Sequence, residues 1–232
     1  MKINVNIIST RNYIQFVQPL VDSIEKYFLI DHDILINLFT DQDAVIVHNR
    51  ADIKIHKIPS YGFPDATLLR YHIMTGIDYD CDYIFYLDSD MLINNFVGDE
   101  ILGDLVAVRH PGYFISNGWG SENCNTKSVA YAAPQYQKKY FAGGFQGGSK
   151  IAYCHVMDVM RKRIDIDNSN GVMAQWHDET HWNRLLIDSL YKLTELNPSY
   201  CMPQAWSKRV YSKIEHLPAK ILALEKPNDI RQ

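Results

Sequence analysis

The sequence predicts an α/β fold, a sheet whose strands alternate with helices. Short β-rich apolar runs recur through the first half, helical spacing fills the stretches between them, and glycine (12) plus proline (9) are too few in 232 residues to suggest a flexible linker. Ile3 to Ser9 reads as the first strand, and Val17, Val21, Ile24 and Phe28 follow at helical spacing. Asp33 to Phe39 and Ile53 to Ile58 are the next β-rich runs, Leu69, Ile73 and Ile77 mark a second helix, and Tyr83 to Leu87 is an aromatic-rich strand. This order places a ligand beyond the carboxyl ends of the strands. Further along, Leu105 to Arg109 is strand-like, and Ile151 to Arg161 and Glu179 to Tyr191 are helical. The polar stretch from Ser116 to Gln137 predicts a long loop folding over the site. With no internal repeat, one domain spanning 1–232 is expected.

A composition of 47% hydrophobic and 12% aromatic residues supplies a core without disulfide staples. The net charge of -4 argues against a nucleic-acid partner, because counterion displacement from phosphates needs a basic surface. It leaves room for a single pocket that takes an anion. Cys81, Cys124, Cys154 and Cys201 are scattered and form no CxxC pair, which reads as a reduced, cytoplasmic set. No apolar run approaches the ~20 residues of a membrane span, so no transmembrane segment is expected.

Three clusters carry chemistry. Asp88-Ser89-Asp90 directly follows the Tyr83 to Leu87 run, and two carboxylates at a strand end can approach one hard divalent cation while leaving positions for phosphate oxygens. Gly143-Gly144-Phe145-Gln146-Gly147-Gly148 lacks the lysine and spacing of a phosphate loop; it reads as a glycine-rich turn between strand and helix, or as a wall that lets a ligand approach backbone. Trp176-His177-Asp178-Glu179-Thr180-His181 sets an aromatic face beside two carboxylates and two imidazoles. His177 and His181 are spaced for zinc on one helix face, but Asp178 stands where the metalloprotease pattern has glutamate, so a zinc-dependent hydrolase is the weaker alternative. A noncatalytic sugar-binding module is the other. Arg70 and the His110-Pro111-Gly112 turn are softer signals.

Taken in order, Tyr86-Leu87-Asp88-Ser89-Asp90, His110-Pro111-Gly112-Tyr113, Tyr140 through Gly148, Trp176 through His181 and Asn197-Pro198-Ser199-Tyr200 resemble glycosyltransferase family 6, which includes the blood-group A and B transferases and the α1,3-galactosyltransferases. The resemblance runs from Ile7 to Arg231. It implies a GT-A fold, a Rossmann-like mixed sheet with helices on both faces, divided into a nucleotide-sugar half over about 1–105 and an acceptor half over about 106–232. It also implies retaining transfer of GalNAc or galactose from UDP-GalNAc or UDP-galactose to the 3-hydroxyl of a galactose-terminated, fucosylated oligosaccharide acceptor in α1,3 linkage. By the same resemblance Asp88 and Asp90 hold Mn²⁺, or Mg²⁺, and Glu179 is the catalytic carboxylate. Ser9, Tyr13, Arg70, Ala142, Gly143, Gly144, His177, Asp178, Lys226 and Arg231 bind the UDP-sugar donor, with Lys226 and Arg231 on a tail that orders over the diphosphate. His110 and Trp176 hold the acceptor. Donor choice is assigned to Ala142 and Gly144, whose small size resembles the GalNAc-using members. Two segments depart from the family pattern: Ser121 to Asn125 in the acceptor loop, and Pro203 in place of an acidic acceptor-binding residue.

Overall fold

The computed structural model describes residues 1–205 and 213–226. The elements follow the predicted alternation. Strand β1 (Lys2–Ser9) leads to helix α1 (Val17–Tyr27), then β2 (Asp33–Thr40), β3 (Asp52–Lys57), the short helices α2 (Asp65–Leu68) and α3 (Arg70–Met74), β4 (Tyr83–Asp88), β5 (Met91–Ile93) and β6 (Leu105–Arg109). The second half adds β7 (Phe141–Ser149), α4 (Lys150–Ser169), α5 (His177–Asp188), β8 (Leu193–Leu196), β9 (Met202–Pro203) and β10 (Ile221–Ala223). Seven strands form one mixed sheet in the order β3-β2-β1-β4-β7-β6-β8, and β5, β10 and β9 form a small second sheet. In the large sheet β1, β2, β3 and β4 pair in parallel, and β7 runs antiparallel between β4 and β6. This is a GT-A-like, Rossmann-like α/β sheet.

Strand alternation feeds two cores. Ile3, Val5, Ile7, Ile34, Ile36, Leu38, Phe85 and Leu87 face α1, with Val17, Leu20, Val21 and Ile24. The opposite residues, Ile8, Phe39, Ile84 and Tyr86, meet α3, α4 and α5 through Tyr71, Met74, Tyr153, Met157, Met160 and Trp182. Both faces of the sheet's centre are therefore covered, and β4 there reads as a nearly continuous apolar run up to Asp88.

The structure departs from the sequence reading in three places. The glycine tract is no turn between elements; it is β7, a central strand. A Cβ at Gly147 would lie 2.4 Å from Phe85 Cδ1 and 2.5 Å from the Ile84 carbonyl, so glycine is what allows β7 to pass so close to β4. Helix α4 continues to Ser169 because Ile164 and the buried Asp167 extend its inner stripe, and the polar member hides the periodicity. The second helix is split into α2 and α3 at Leu69 and stops before Ile77. No helix among the described residues is long and apolar enough to cross a membrane.

A polar ladder crosses the apolar sheet. The Asn37 amide donates to Oδ1 of both Asn4 and Asn6 at 3.0 Å, Asn6 donates to the Tyr79 hydroxyl at 2.9 Å, and His56 Nε2 lies 3.1 Å from Asn37 Oδ1. These bonds suit only one register of β1, β2 and β3, since a one-residue slip would point every amide to the other face. Asn37→Leu is expected to lower unfolding free energy by ~2 kcal/mol or more in urea titration, because it leaves buried amide groups unpaired; an unchanged midpoint would show that the ladder contributes nothing.

Candidate active site

The carboxyl ends of β1 and β4, the start of the antiparallel β7 and the amino terminus of α5 all open on one cavity of about 480 Å³. Its walls include Tyr13, Arg70, Asp88, Asp90, Gly143, Gly144, Trp176, His177, Asp178, Glu179 and Lys226. The strand-tip carboxylates and the Trp176 to Glu179 cluster, ninety residues apart in sequence, thus share one chamber.

Each carboxylate has a distinct anchorage. Asp88 Oδ1 accepts the Tyr86 hydroxyl at 2.7 Å and lies 3.4 Å from Arg70 Nη2. Asp90 is ion-paired with Lys226. The Leu224 amide donates to the Asp90 carbonyl at 2.9 Å, so β10 and the residues after it are laid against the acidic turn. Arg70 Nε stands 3.1 Å from Asp178 Oδ2, an ion pair without hydrogen-bond alignment, while Arg70 Nη1 donates to the Gly143 carbonyl at 2.9 Å. Glu179 Oε2 accepts the Gly143 amide at 2.9 Å, and the Tyr140 hydroxyl also donates to the Glu179 carboxylate. Behind Tyr140 the hydroxyls continue, to Ser121 at 2.8 Å and from Ser121 to Thr180 at 2.9 Å.

Burial raises both Asp178 and Glu179 to about 7. Arg70 opposes this for Asp178, and the Gly143 amide and Tyr140 oppose it for Glu179. Burial and the neighbouring Asp88 also raise Asp90. Burial works against the Lys226 ammonium, but Asp90 and Asp88 outweigh it and raise that group.

The amino terminus of α5 is set by His177, whose φ of 51° is a left-handed conformation rare outside glycine. Its ring meets the Phe63 ring edge-on at 4.8 Å. His181, one turn on, is buried against Asp167, with Nε2 3.3 Å from Asp167 Oδ2, and does not line the cavity. The two imidazoles envisaged as a zinc pair therefore point into different surroundings, and burial keeps both below their usual range. Among the described residues no three His, Cys, Asp or Glu side chains converge on a metal site. A cation bound by Asp88 and Asp90 would draw its remaining ligands from elsewhere, as divalent ions that share carboxylates with substrate phosphates do. The all-oxygen donor set fits such an ion, and the Lys226 ammonium on Asp90 shows the position accommodating positive charge.

Several expected residues lie off the wall. Ser9 is fully buried while its neighbours Ile8 and Thr10 face the cavity, and Ala142 stands behind Gly143. His110 packs against Tyr113 and Tyr140, its Nδ1 accepting the Gly112 amide at 3.1 Å, and burial lowers it to about 4. Arg231 lies outside the described residues. The segment Ser116 to Gln137 also lines none of the cavity among the described residues; it braces the wall from behind, where Gly120 accepts the Trp176 indole at 2.7 Å. The sequence reading missed Arg11 and Phe63 on the wall and Tyr140 behind it. Phe63, 71% exposed between Gly62 and Pro64, had a legible signal, an aromatic among chain breakers. Tyr140 opened the block that carries the resemblance without being assigned a role, and Arg11 had no signal.

The sequence pattern of glycosyltransferase family 6 matches residues 1–228. The chain belongs to glycosyltransferase family 6. Within the family it is 27% identical to the histo-blood group ABO system transferase 1 of Rattus norvegicus over 87% of this chain and 61% of that protein. It is 29% identical to the globoside alpha-1,3-N-acetylgalactosaminyltransferase 1 of Homo sapiens over 82% of this chain and 58% of that protein. The Gallus gallus protein of that name is 30% identical over 86% of this chain and 61% of its own length. The chain thus spans about three-fifths of the length of these curated family members.

The raised carboxyls have a sign that can be checked. The folded state holds protons on Asp178 and Glu179 that the unfolded chain, with ordinary values of 3.8 and 4.5, releases at lower pH. Their contribution to stability is therefore fully present below about pH 4 and lost as pH rises toward 7. In urea unfolding of the ligand-free protein at about pH 5 and about pH 7.5, Glu179→Gln is expected to stabilise more at the higher pH; an equal effect at both would contradict the shift.

Proposed function

We propose that this chain is a retaining hexosyltransferase that moves GalNAc or galactose from a UDP-sugar to the 3-hydroxyl of a galactose-terminated, fucosylated glycan in α1,3 linkage. The observation that carries the reading is the single cavity that joins Asp88, Asp90 and Lys226 at one end to Asp178 and Glu179 at the other across Gly143 and Gly144. The names of the relatives agree with the choice of sugar. The residues up to about 105 supply the nucleotide side and those beyond it most of the sugar and acceptor side.

In this reading the UDP diphosphate lies over the acidic turn, near Tyr13 and within reach of Lys226. Asp88 and Asp90 would hold Mn²⁺ or Mg²⁺, which supplies positive charge to the departing diphosphate. Lys226 adds a second cation there, and moving from Asp90 to the diphosphate keeps its ammonium paired throughout. Arg70 fixes Asp178, which then presents its carboxyl to donor hydroxyls. Glu179, held by the Gly143 amide and Tyr140, faces the anomeric carbon. As carboxylate it stabilises the positive charge that develops when the glycosidic bond breaks, by electrostatic contact or a transient bond, and either route retains configuration when the acceptor enters on the leaving-group side. Trp176, half exposed at the mouth, offers the flat apolar surface that an acceptor sugar stacks on.

Donor size is controlled at the glycine pair. A Cβ at Gly143 would lie 3.5 Å from Glu179 Oε2 and 3.7 Å from Asp178 Oδ2, ordinary contact that still occupies sugar space. At Gly144 it would approach Met91 Cε to 2.3 Å and Asp88 Oδ2 to 2.9 Å. Gly143, one residue after Ala142, is therefore the position at which a small side chain narrows the pocket without forcing a rearrangement.

UDP release from UDP-GalNAc and UDP-galactose, measured with Mn²⁺ and 2'-fucosyllactose, tests the proposal. Glu179→Gln is expected to lower kcat by ~10²-fold or more, and Asp88→Asn to weaken UDP binding in the presence of Mn²⁺. Release from neither donor, or full activity in Glu179→Gln, would refute the assignment. Gly143→Ala is expected to cost more kcat/KM with UDP-GalNAc than with UDP-galactose; equal loss would remove Gly143 as the size-selecting position.

A further inference from the structure

Gln146 lies in the middle of β7, is fully buried and does not line the cavity. Its neighbours are apolar, with Ile84, Tyr86, Leu105 and Ala107 packed on the same face of the sheet. Packing alone would favour an apolar side chain here, since a buried primary amide is costly unless its bonds are made. They are made. Gln146 Nε2 donates to the Gly143 carbonyl at 3.0 Å, and Oε1 accepts the Tyr71 hydroxyl at 2.9 Å. The orientation of the amide is unambiguous, because a carbonyl can only accept.

The need for these bonds comes from the strand pairing. Ala107 pairs with Gln146, but the next residue, Val108, pairs with Ala142, so residues 143–145 are looped out of the β6 ladder as a bulge. Bulges re-aim the backbone next to active sites at the expense of ladder hydrogen bonds. At this bulge side chains hold the carbonyl: Gly143 O takes Arg70 Nη1 at 2.9 Å as well as Gln146. With its carbonyl fixed on one side, Gly143 presents its amide on the other to Glu179 Oε2 at 2.9 Å.

We propose that Gln146 is a positioning residue for Glu179, acting through the Gly143 backbone and itself held by Tyr71. The inference rests on the glycosyltransferase reading for its catalytic consequence, though not for its geometry. Because Gln146 touches neither the cavity nor Glu179, its loss should loosen the carboxylate without removing a contact to the donor.

Two measurements on the full chain separate the geometry from the reaction. In ligand-free protein labelled with ¹⁵N-glycine, the Gly143 amide, identified by its absence in Gly143→Ala, is expected to move upfield in Gln146→Met. Its hydrogen-exchange protection should fall by about tenfold, the worth of one hydrogen bond. Tyr71→Phe, which keeps Gln146, should shift the same resonance in the same direction by less. In UDP-release assays Gln146→Met is expected to lower kcat by about tenfold or more with donor KM nearly unchanged, and the double variant should be no worse than Gln146→Met alone, since Tyr71 acts through the amide. An unmoved Gly143 resonance in both variants, a raised KM with unchanged kcat, or additive losses would overturn the proposal. A wild-type protein that releases no UDP would refute the transferase reading and leave the resonance to decide the geometry. If Gln146→Met fails to fold, Tyr71→Phe decides by the same resonance.

Discussion

The Arg70 guanidinium is buried at the meeting point of α3, β4, β7 and α5, and the arrangement around it depends on its charge. It lies 3.1 Å from Asp178, 3.4 Å from Asp88, 2.9 Å from the Gly143 carbonyl and 4.4 Å above the Tyr86 ring. Burial alone would drive the proton off, but Asp178, Tyr86 and Asp88 outweigh it and hold the group firmly cationic. The dependence is mutual. The buried Asp178 carboxylate, with the part-exposed Asp88 also on Arg70, would lack a counter-charge without it, and an uncompensated charge in the interior costs several kcal/mol, roughly. Lysine could not take the place of arginine: the planar fork reaches three partners in different directions, whereas an ammonium is a point charge on a flexible stem.

Even with Arg70 in place the chamber is not neutral. Asp88, Asp90, Asp178 and Glu179 line it, against Arg11, Arg70 and Lys226. Burial raises Asp178 and Glu179 to about 7, so this imbalance lessens as pH falls through that range. An anionic ligand entering such a chamber needs positive charge brought with it or released to it. Lys226 is the part of that supply with a single carboxylate partner, Asp90, whereas Arg70 is locked by three elements. The proposed diphosphate thus lies where cations can be redistributed, and the sugar where they cannot.

The sheet and its acidic tip were legible because they obey local rules. A run of apolar β-formers ending in Asp88 announces a strand end, and Asp178 and Glu179 announce a helix start beside it. What could not be read was the role of glycines whose reason lies in a neighbouring strand. Gly147 is a poor strand former in isolation and is required in this one only because Phe85 and the Ile84 carbonyl pass so near. Tyr140 and Ser121 reach Glu179 and Thr180 through tertiary contacts between distant segments, which no local pattern encodes. Ser9 and Ala142 do not line the cavity although their neighbours do, for a simpler reason. Family resemblance assigns a segment, but strand alternation decides which of two neighbours faces the ligand.

The same parity argument explains why adjacent acids can do different things. Asp178 and Glu179 are consecutive residues in the first turn of α5, so their side chains diverge by ~100° around the helix axis. One turns to Arg70 and becomes part of a fixed ion pair; the other turns to the Gly143 amide and Tyr140, where neutral donors hold it without cancelling its charge. The helix is entered through the left-handed His177 conformation, and the Trp176 amide bonded to Thr180 Oγ1 at 2.9 Å holds that start in place. The local backbone cost at His177, ~1 kcal/mol, thus accompanies a helix start at which one carboxylate is paired with Arg70 and the next is held by neutral donors.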